Sequence, residues 1–307
     1  MTATRRRAWG AWVAVCLIWG TTYLAIKVAL ETIPPLLISG LRCTIGGFLL
    51  LGWVQATRQP LPGLSDWPRL AVLGLLMLTL GNGGVAWGEQ YLPSGLTAVF
   101  IATSPFWMVA IDSALPGGER VTPGQWLGVA IGFGGIVLLV WPELALSEFS
   151  GWDVVSGIAA LQVACIGWAI ASAITRRRTV SRDVLGVAAL QLIFGGVVLL
   201  LLASAAGEWP KLSFNPRTFG AFAYLVVAGS VVAFTAYSYA LRHLPVSIVS
   251  MYTYINPLIA VLLGALLLDE PVRLSMLAAV IVILFGIALV RGWTPRPPAG
   301  QPDVARR

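Results

Sequence analysis

Charge is the feature that this sequence has least of. Only 11% of its 307 residues are charged, whereas 58% are hydrophobic. A water-soluble protein carries about 25% charged residues, because its surface must face water. The composition therefore excludes an ordinary soluble fold. It predicts an integral membrane protein, the class whose outer surface is allowed to be apolar.

Lysine, histidine and cysteine are also scarce. Neither lysine, Lys27 or Lys211, follows a glycine, so the sequence has no phosphate-binding Walker loop and ATP is not expected to act directly. The single histidine, His243, excludes an HExxH metal site. The three cysteines lie in apolar segments, are odd in number and lack metal-ligand spacing. We therefore expect no metal, no cofactor and no catalytic residues.

Long apolar runs are what the sequence has in abundance. A helix needs about 20 predominantly apolar residues to cross a bilayer, and ten segments qualify. They are Trp9–Leu30, Leu36–Ala56, Leu70–Gly88, Ser94–Leu115, Gly124–Trp141, Trp152–Ile174, Val184–Ala206, Thr218–Ala240, Val246–Leu268 and Val272–Val290. An outer-membrane barrel is excluded, because its strands are alternating segments of about ten residues, whereas these apolar runs are longer and have a helical period. The pattern predicts an all-α integral membrane protein with ten transmembrane helices.

The arginines are distributed unevenly around these spans. With the N-terminus in the cytoplasm, fifteen of the 20 basic residues fall in inner segments and only Lys211, Arg217 and Arg273 in outer loops. Because basic residues accumulate on the cytoplasmic side, both termini are predicted to be cytoplasmic, in the cell inner (plasma) membrane. Arginines that contact anionic lipid headgroups explain the net charge of +7. We therefore expect membrane lipids, and no nucleic acid, as partners.

The two halves of the sequence read alike. Each contains a span that opens after a Leu-Pro pair, carries a second proline in its middle and is followed by an acidic loop. Four residues of the first half recur in the second at one constant offset: Cys16, Trp19, Gly46 and Gly47 match Cys165, Trp168, Gly195 and Gly196. The halves are interpreted as two five-span repeats, 9–143 and 152–291, between a cytoplasmic N-terminus, 1–8, and a disordered cytoplasmic tail, 292–307.

Because five is an odd number, the two repeats must cross the membrane in opposite orientations. Inverted repeats can exchange conformations, which gives two states open to opposite sides with a shared site near the midplane. This arrangement predicts an alternating-access transporter. Duplication for packing alone is the alternative.

The motifs resemble the drug/metabolite transporter (DMT) superfamily, EamA type. The residues that carry the resemblance are Leu17-Ile18-Trp19-Gly20-Thr21-Thr22-Tyr23, Ala25-Ile26-Lys27, Pro34-Pro35, Gly40-Leu41-Arg42, Gly81-Asn82-Gly83, Glu89-Gln90, Pro93-Ser94-Gly95, Tyr254-Ile255-Asn256-Pro257 and Asp269-Glu270. The stretch from Gly81 to Glu89 is most similar to the YedA/PecM-like branch of inner-membrane exporters. The resemblance implies a ten-helix basket of two inverted EamA repeats around a central cavity, and efflux of small metabolites or drugs.

Two matched prolines mark the middle of spans four and nine. Pro105 and Pro257 each lie eleven residues into a span, with Ser104 and Asn256 beside them. A proline removes a backbone hydrogen bond, which is costly in lipid unless the gap faces a cavity or another helix. We predict that Ser104, Pro105 and Pro257 form a gate or hinge. A packed kink without a ligand is the alternative.

Three charged residues fall in the outer half of the predicted spans, where charge is expensive and usually faces inward. They are Lys27, Arg42 and Glu89. Lys27 could instead snorkel to the interface and Glu89 could be a plain helix-end charge, but Arg42 lies deeper. We hypothesise an outer ion network in which Glu89 pairs with Arg42 or Lys27 in one state and gates the outer mouth.

A substrate cavity is predicted from the deep aromatic and amide residues, because small-molecule sites combine apolar walls with a few polar groups. The candidates are Trp19, Tyr23, Asn82, Gln162, Trp168, Tyr237, Tyr252, Tyr254 and Asn256. In span five, Gly124, Gly128 and Gly132 form a small-xxx-small ladder that permits close helix packing. We expect it to pack against span ten. A dimer interface is the minority interpretation, so the protein is expected to be a monomer or homodimer.

Three classes of function remain. A secondary transporter that moves a small-molecule substrate, driven by a gradient or by exchange, is favoured, and import is an alternative to export. A channel would need a more polar pore lining than these spans offer. A membrane-embedded transferase would need an interfacial acid cluster, for which Glu143, Glu148 and Asp153 are candidates. A solvated acidic loop explains those residues better, so we do not expect an enzyme.

Overall fold

The computed structural model describes residues 3–114, 151–177, 184–244, 252–270 and 274–292, with 249, 272 and 122–135 except 125, 129 and 133. Within these ranges the regular secondary structure is helical. The tail from 293 onward and the junction between the two predicted repeats lie outside the described residues, so the predicted domain limits at 143 and 152 are only partly covered.

The first half of the chain contributes five labelled helices. They are α1 Ala3–Ala29, α2 Pro35–Ala56, α3 Leu64–Glu89, α4 Ser94–Ile101 and α5 Ser104–Ala114. Pro35 is the first residue of α2, where its fixed φ suits the helix and its missing N–H is not needed. Described residues between 123 and 135 are also helical and belong to the predicted fifth span.

The second half contributes α6 to α10. They are α6 Gly151–Arg177, α7 Val184–Ala205, α8 216–243, α9 Tyr252–Leu267 and α10 Leu274–Gly292. At the start of α8, the Asn215 side chain accepts the Thr218 backbone N–H at 2.8 Å, and the Thr218 hydroxyl accepts the Asn215 N–H at 3.0 Å. This reciprocal capping box fixes where α8 begins.

Within the described residues, six helical segments are long and apolar enough to cross a membrane. They are Thr4–Ala29, Pro35–Ala56, Leu64–Glu89, Gly151–Thr175, Val184–Ala205 and Pro216–Ala240. They coincide with predicted spans one, two, three, six, seven and eight. Helices α9 and α10 contain shorter apolar stretches, Ile255–Leu267 and Met276–Gly286.

The predicted fourth span is interrupted. Residues Ala102 and Thr103 form a turn between α4 and α5, because Pro105 has no N–H to donate and its ring would collide with the carbonyl of Ile101. That carbonyl accepts the Ser104 hydroxyl instead, at 2.6 Å. The matched proline, Pro257, lies inside the continuous helix α9. The two repeats therefore accommodate the same residue differently.

Two π-helical segments occupy matched positions in the repeats. They are Leu75–Asn82 within α3 and Leu225–Val232 within α8. Both their first and their last residues are 150 positions apart in the sequence. Because π-helices are rare and are frequently found at functional sites, the coincidence points to a shared structural role.

Helices from the two halves interdigitate. Helix α1 packs against α8 and α9, α2 against α7, α3 against α6 and α7, and α4 against α9. The contact between α2 and α7 is built on glycine: a Cβ at Gly47 would lie 2.9 Å from the Ile193 nitrogen, and one at Gly196 would lie 2.6 Å from the Thr44 nitrogen. The glycines that repeat between the halves thus bring α2 and α7 into backbone contact.

The helix directions give the bundle two ends. The end bearing Glu31, Glu89, Glu208 and Glu270 is called the carboxylate end. The opposite end, which bears Arg69 near the start of α3, is called the arginine end.

Candidate functional site

A cavity of about 80 Å³ lies among α1, α2, α3, α6, α9 and the break between α4 and α5. Its lining comes from both halves of the chain. The lining residues are Trp19, Thr22, Tyr23, Ile26, Arg42, Gly81, Asn82, Val85, Ile101, Ser104, Ala164, Cys165, Trp168, Tyr252 and Asn256. The mixture of aromatic rings with a few polar groups is typical of a small-molecule site.

A cluster of four aromatic rings forms the arginine-end wall of the cavity. Trp19 contacts Trp168, Tyr237 and Tyr252 at ring-centroid distances of 5.8, 5.0 and 4.9 Å. The Trp19 indole donates to the Gly229 carbonyl at 3.2 Å, inside the π-helical segment of α8. The Trp168 indole donates to the Tyr237 hydroxyl at 3.3 Å. The polar tips of Trp19, Trp168 and Tyr237 therefore have partners, which hold these rings in place.

Two predicted cavity residues lie outside the lining, and the side chain of a third is not described. Tyr237 belongs to the aromatic cluster but stands behind Trp19 and Trp168, outside the lining. The Gln162 Oε1 accepts the Trp107 indole N–H at 2.8 Å, so this amide ties α6 to α5 beside the cavity. The side chain of Tyr254 lies outside the described residues.

Two amide side chains present polar groups to the cavity. The Asn82 amide donates to the Cys43 sulfur at 3.6 Å, and its backbone carbonyl accepts the Ser39 hydroxyl at 3.0 Å. The Asn256 amide nitrogen donates to the carbonyls of Cys16 and Tyr252 at 3.1 and 3.0 Å when the amide is turned toward these acceptors. Both amides are thus oriented by neighbouring helices.

The predicted hinge residues border the same cavity. Ser104 is part of the lining, and its hydroxyl lies 3.3 Å from the Cys165 sulfur on α6. Pro105 follows it in the first turn of α5. Pro257 follows the lining residue Asn256 in α9. The helix break of the first repeat and the proline of the second therefore lie at the cavity.

The three predicted network residues are close, but not as ion pairs. The Lys27 amine donates to the backbone carbonyls of Glu89 and Leu92 at 2.7 and 2.9 Å. Glu89 is fully buried, and in the described part of the chain neither of its carboxylate oxygens has a hydrogen-bond partner. Arg42 is 5% exposed and faces the cavity. The predicted pairing of Glu89 with Lys27 or Arg42 is absent from this conformation.

A second, larger space opens at the carboxylate end. It measures about 770 Å³ and is bordered by Lys27, Glu31, Glu89, Glu208 and Lys211, among other residues. At the same end, carboxylates of the second half accept hydrogen bonds from the first half. Glu208 accepts the Leu37 backbone N–H at 2.9 Å, and Glu270 accepts the Ser94 N–H and hydroxyl, each at 2.9 Å.

The glycine ladder of span five contacts α10. A Cβ at Gly286 would lie 2.7 Å from the Gly128 carbonyl oxygen and 2.7 Å from the Gly132 nitrogen. Gly124 is also buried. Within the described residues the ladder therefore has a partner inside this chain.

The sequence interpretation missed part of the lining. Thr22, Gly81, Cys165 and Arg42 were not assigned to the cavity. Arg42 did carry a signal, since it is an intramembrane charge whose counterpart in the second repeat, Gln191, is uncharged.

Comparisons with known proteins agree with this architecture. Residues 8–141 and 155–292 each match the profile of the EamA-like transporter family. The uncharacterized inner membrane transporter YedA of Escherichia coli strain K12 is 35% identical over 286 residues, covering 92% of this chain and 89% of the relative. The uncharacterized transporter YvbV of Bacillus subtilis strain 168 is 29% identical over 279 residues, covering 89% and 88%.

The fold also has a counterpart among solved structures. One crystal structure aligns with a TM-score of 0.64 at 21% identity, covering 92% of this chain and 95% of that chain. At this identity the likeness concerns the fold alone.

Proposed function

Because this chain belongs to the EamA-like transporter family, we propose that it is a secondary transporter that exports small organic metabolites or drugs across the inner membrane. The name of the relative YedA supports the inner-membrane location. A gradient or exchange drives the transport, since the sequence has no Walker loop for ATP.

The observation that carries this proposal is the cavity shared by the two halves. Its walls come from α1, α2 and α3 of one half and from α6 and α9 of the other. A site at the interface of two inverted repeats becomes accessible from opposite sides when the repeats exchange conformations. The chain would thus consist of ten spans in two inverted repeats, 9–143 and 152–291, with residues 1–8 and 292–307 in the cytoplasm.

The proposed gate lies between the cavity and the carboxylate end, which this topology places outside. Contacts of Lys27 with the Glu89 and Leu92 carbonyls, and of Glu270 with Ser94, join helices there. Opening requires these contacts to break, with Ser104, Pro105 and Pro257 as hinges. Pairing of Glu89 with Lys27 or Arg42 would then satisfy the carboxylate that is unpaired in this conformation.

Alternating access can be tested with a single cysteine in the cavity. Cys16, Cys43 and Cys165 are replaced by alanine and Ser104 by cysteine, and vesicles of both orientations are treated with the small anionic reagent methanethiosulfonate ethylsulfonate. Labelling of Cys at position 104 from either face is expected, because each state exposes the cavity to one side. Labelling from one face only would contradict alternating access.

Two marker variants calibrate this experiment. Ser65→Cys places an exposed thiol at the arginine end, and Ser213→Cys places one at the carboxylate end. In intact cells only the Ser213→Cys protein should react if the termini are cytoplasmic. A reagent that crosses to the marker on the opposite face would indicate a channel, because a transporter offers no continuous path.

A further inference from the structure

The cavity lining contains a positive charge that forms no ion pair with a described residue. Arg42 is the one charged side chain among the described lining residues. It is 5% exposed, and its Nε and Nη1 atoms have no hydrogen-bond partner. A buried guanidinium without a counter-charge is costly, because its loss of hydration is not compensated. The cavity therefore offers a positive group that is not paired with a carboxylate of the described residues.

Neighbouring charged groups do not fill that site. The carboxylate of Glu89 is unpaired as well, although it lies close enough to Arg42 for the two charges to interact. The Lys27 amine is directed toward the backbone carbonyls of Glu89 and Leu92. The guanidinium is thus left without a bonded carboxylate among the described residues.

The aromatic cluster disfavours a cation. Aromatic faces attract cations when they are open, but Trp19, Trp168, Tyr237 and Tyr252 contact one another at centroid distances of 4.9 to 5.9 Å, mostly edge to face. The rings therefore pack against one another, and the charge of the cavity lining is positive. A ligand ammonium group would find no described carboxylate in the lining.

We propose that this cavity binds a small organic anion, with the carboxylate of the ligand on the Arg42 guanidinium and its apolar body against Trp19, Trp168 and Tyr252. The inference rests on the proposed transport function and names its substrate class. A guanidinium forms charge-assisted hydrogen bonds with a carboxylate, and the Nε and Nη1 atoms of Arg42 have no partner among the described residues. The amides of Asn82 and Asn256 supply further polar contacts at the same cavity.

Four single-ring probes of different charge separate this proposal from its alternatives. Benzoate is an anion, benzamide its neutral isostere, benzylamine a cation and phenylglycine a zwitterion. Binding to the purified full-length protein is measured by isothermal titration calorimetry and by quenching of tryptophan fluorescence. Benzoate should bind at least tenfold more tightly than each of the other three.

Variants assign this selectivity to Arg42. Arg42→Gln should reduce benzoate affinity at least tenfold, to the level of benzamide, and leave benzamide binding unchanged. Arg42→Lys should keep part of the preference, because it keeps the charge but loses the paired donors. Arg217→Gln is the matched control, since Arg217 is 59% exposed and pairs with Glu31 on the surface. It should bind all four probes as the parent does.

Several results would overturn the proposal. They are equal binding of benzoate and benzamide, tighter binding of benzylamine, no binding of benzoate, or an Arg42→Gln protein that keeps the preference. If Arg42→Gln does not fold, binding of the four probes to the parent and to Arg42→Lys still tests the preference for the anion. Two-sided labelling at position 104 together with equal probe binding would refute the anion site and retain transport. Benzoate selectivity without two-sided labelling would refute transport and retain the anion site.

Discussion

Two glutamates from the second half of the chain cap helices of the first half. The first backbone N–H groups of a helix lack partners within the helix. Glu208 supplies an acceptor to the start of α2, and Glu270 supplies one to the start of α4. Burial raises the pKa of Glu208, and the N–H groups of Leu37 and Leu36 act in the opposite direction. Burial therefore disfavours the ionised carboxylate more than the two N–H groups stabilise it.

Removing the Glu208 cap should destabilise the protein. Glu208→Ala is expected to lower the free energy of unfolding by about 0.5–2 kcal/mol, the range for lost helix caps. Glu208→Gln should lose less, since it keeps an oxygen for the Leu37 N–H. Thermal unfolding in detergent measures both. Glu31→Gln is the control, because Glu31 forms an exposed pair with Arg217, and such pairs contribute little.

The Glu208 effect should depend on pH with a defined sign. Because the pKa is raised in the folded protein, the stabilisation from this group is complete below the ordinary carboxyl pKa and is lost as pH rises through the folded value. Relative to the parent, Glu208→Ala should therefore be more destabilised at pH 4 than at pH 8. The opposite order in unfolding measurements would show that the ionised form is the better cap.

Individual cavity residues were predictable where a polar or aromatic polar side chain lay deep in a predicted span. Trp19, Asn82 and Asn256 met both conditions and line the cavity. Gln162 met them too, but it bonds to Trp107, because the direction of a side chain on a helix depends on packing that periodicity does not encode. Cys165 looked like a small apolar residue, and only the position of α6 brings it to the cavity.

At the scale of helices, the contact between α2 and α7 depends on residues without side chains. An added Cβ at Gly47 meets backbone atoms, the Ile193 nitrogen at 2.9 Å and the Ala189 oxygen at 3.0 Å. Backbone cannot move aside as a flexible side chain can. Small residues at such crossings let helices approach closely in membranes.

A single methyl group should be enough to disturb this interface. Gly47→Ala is expected to destabilise the protein by about 1–3 kcal/mol, as overpacking does. Gly52→Ala, in the same helix, meets nothing within 4 Å, so it should be neutral or stabilising by up to about 1 kcal/mol because alanine favours the helix. The difference in melting temperature between the two variants tests the contact. Equal melting temperatures would contradict it.

The positions of the helices were largely predictable from the length of the apolar runs. Breaks and π-helical segments within the helices were not. The predicted first, second and third spans coincide with apolar helices of the structure, since the membrane sets their minimum length. The break at Ala102 and Thr103 could be anticipated as a disturbance near Pro105, but not as two separate helices. The π-helical segment of α3 contains no proline. The local sequence therefore does not predict this π-helical segment.

At the scale of the molecule, the repeats are not separate domains. Helix α1 belongs to the first repeat by sequence but packs on α8 and α9 of the second, and α2 packs on α7. Helices of either repeat alone would lack most of the packing partners that the other repeat provides. We therefore expect the packing between helices of the two halves, rather than the covalent linkage, to hold the halves together.

Cutting the chain between the halves should leave the protein assembled. A protease site inserted between residues 146 and 147 of the full chain, cleaved after purification, is expected to give two fragments that elute together in size-exclusion chromatography. The melting temperature should fall by only a few degrees. Separate elution of the fragments would show that the halves are independent units joined by the linker.

The caps provided by Glu208 and Glu270 also bear on how the protein is made. During synthesis, α2 and α4 leave the ribosome long before the residues that complete their first turns. Until those glutamates emerge, the nascent first half must keep bare amide groups hydrated near the membrane surface. Final docking of α2 and α4 is thus postponed until the later helices arrive, and the order of translation becomes part of the folding pathway.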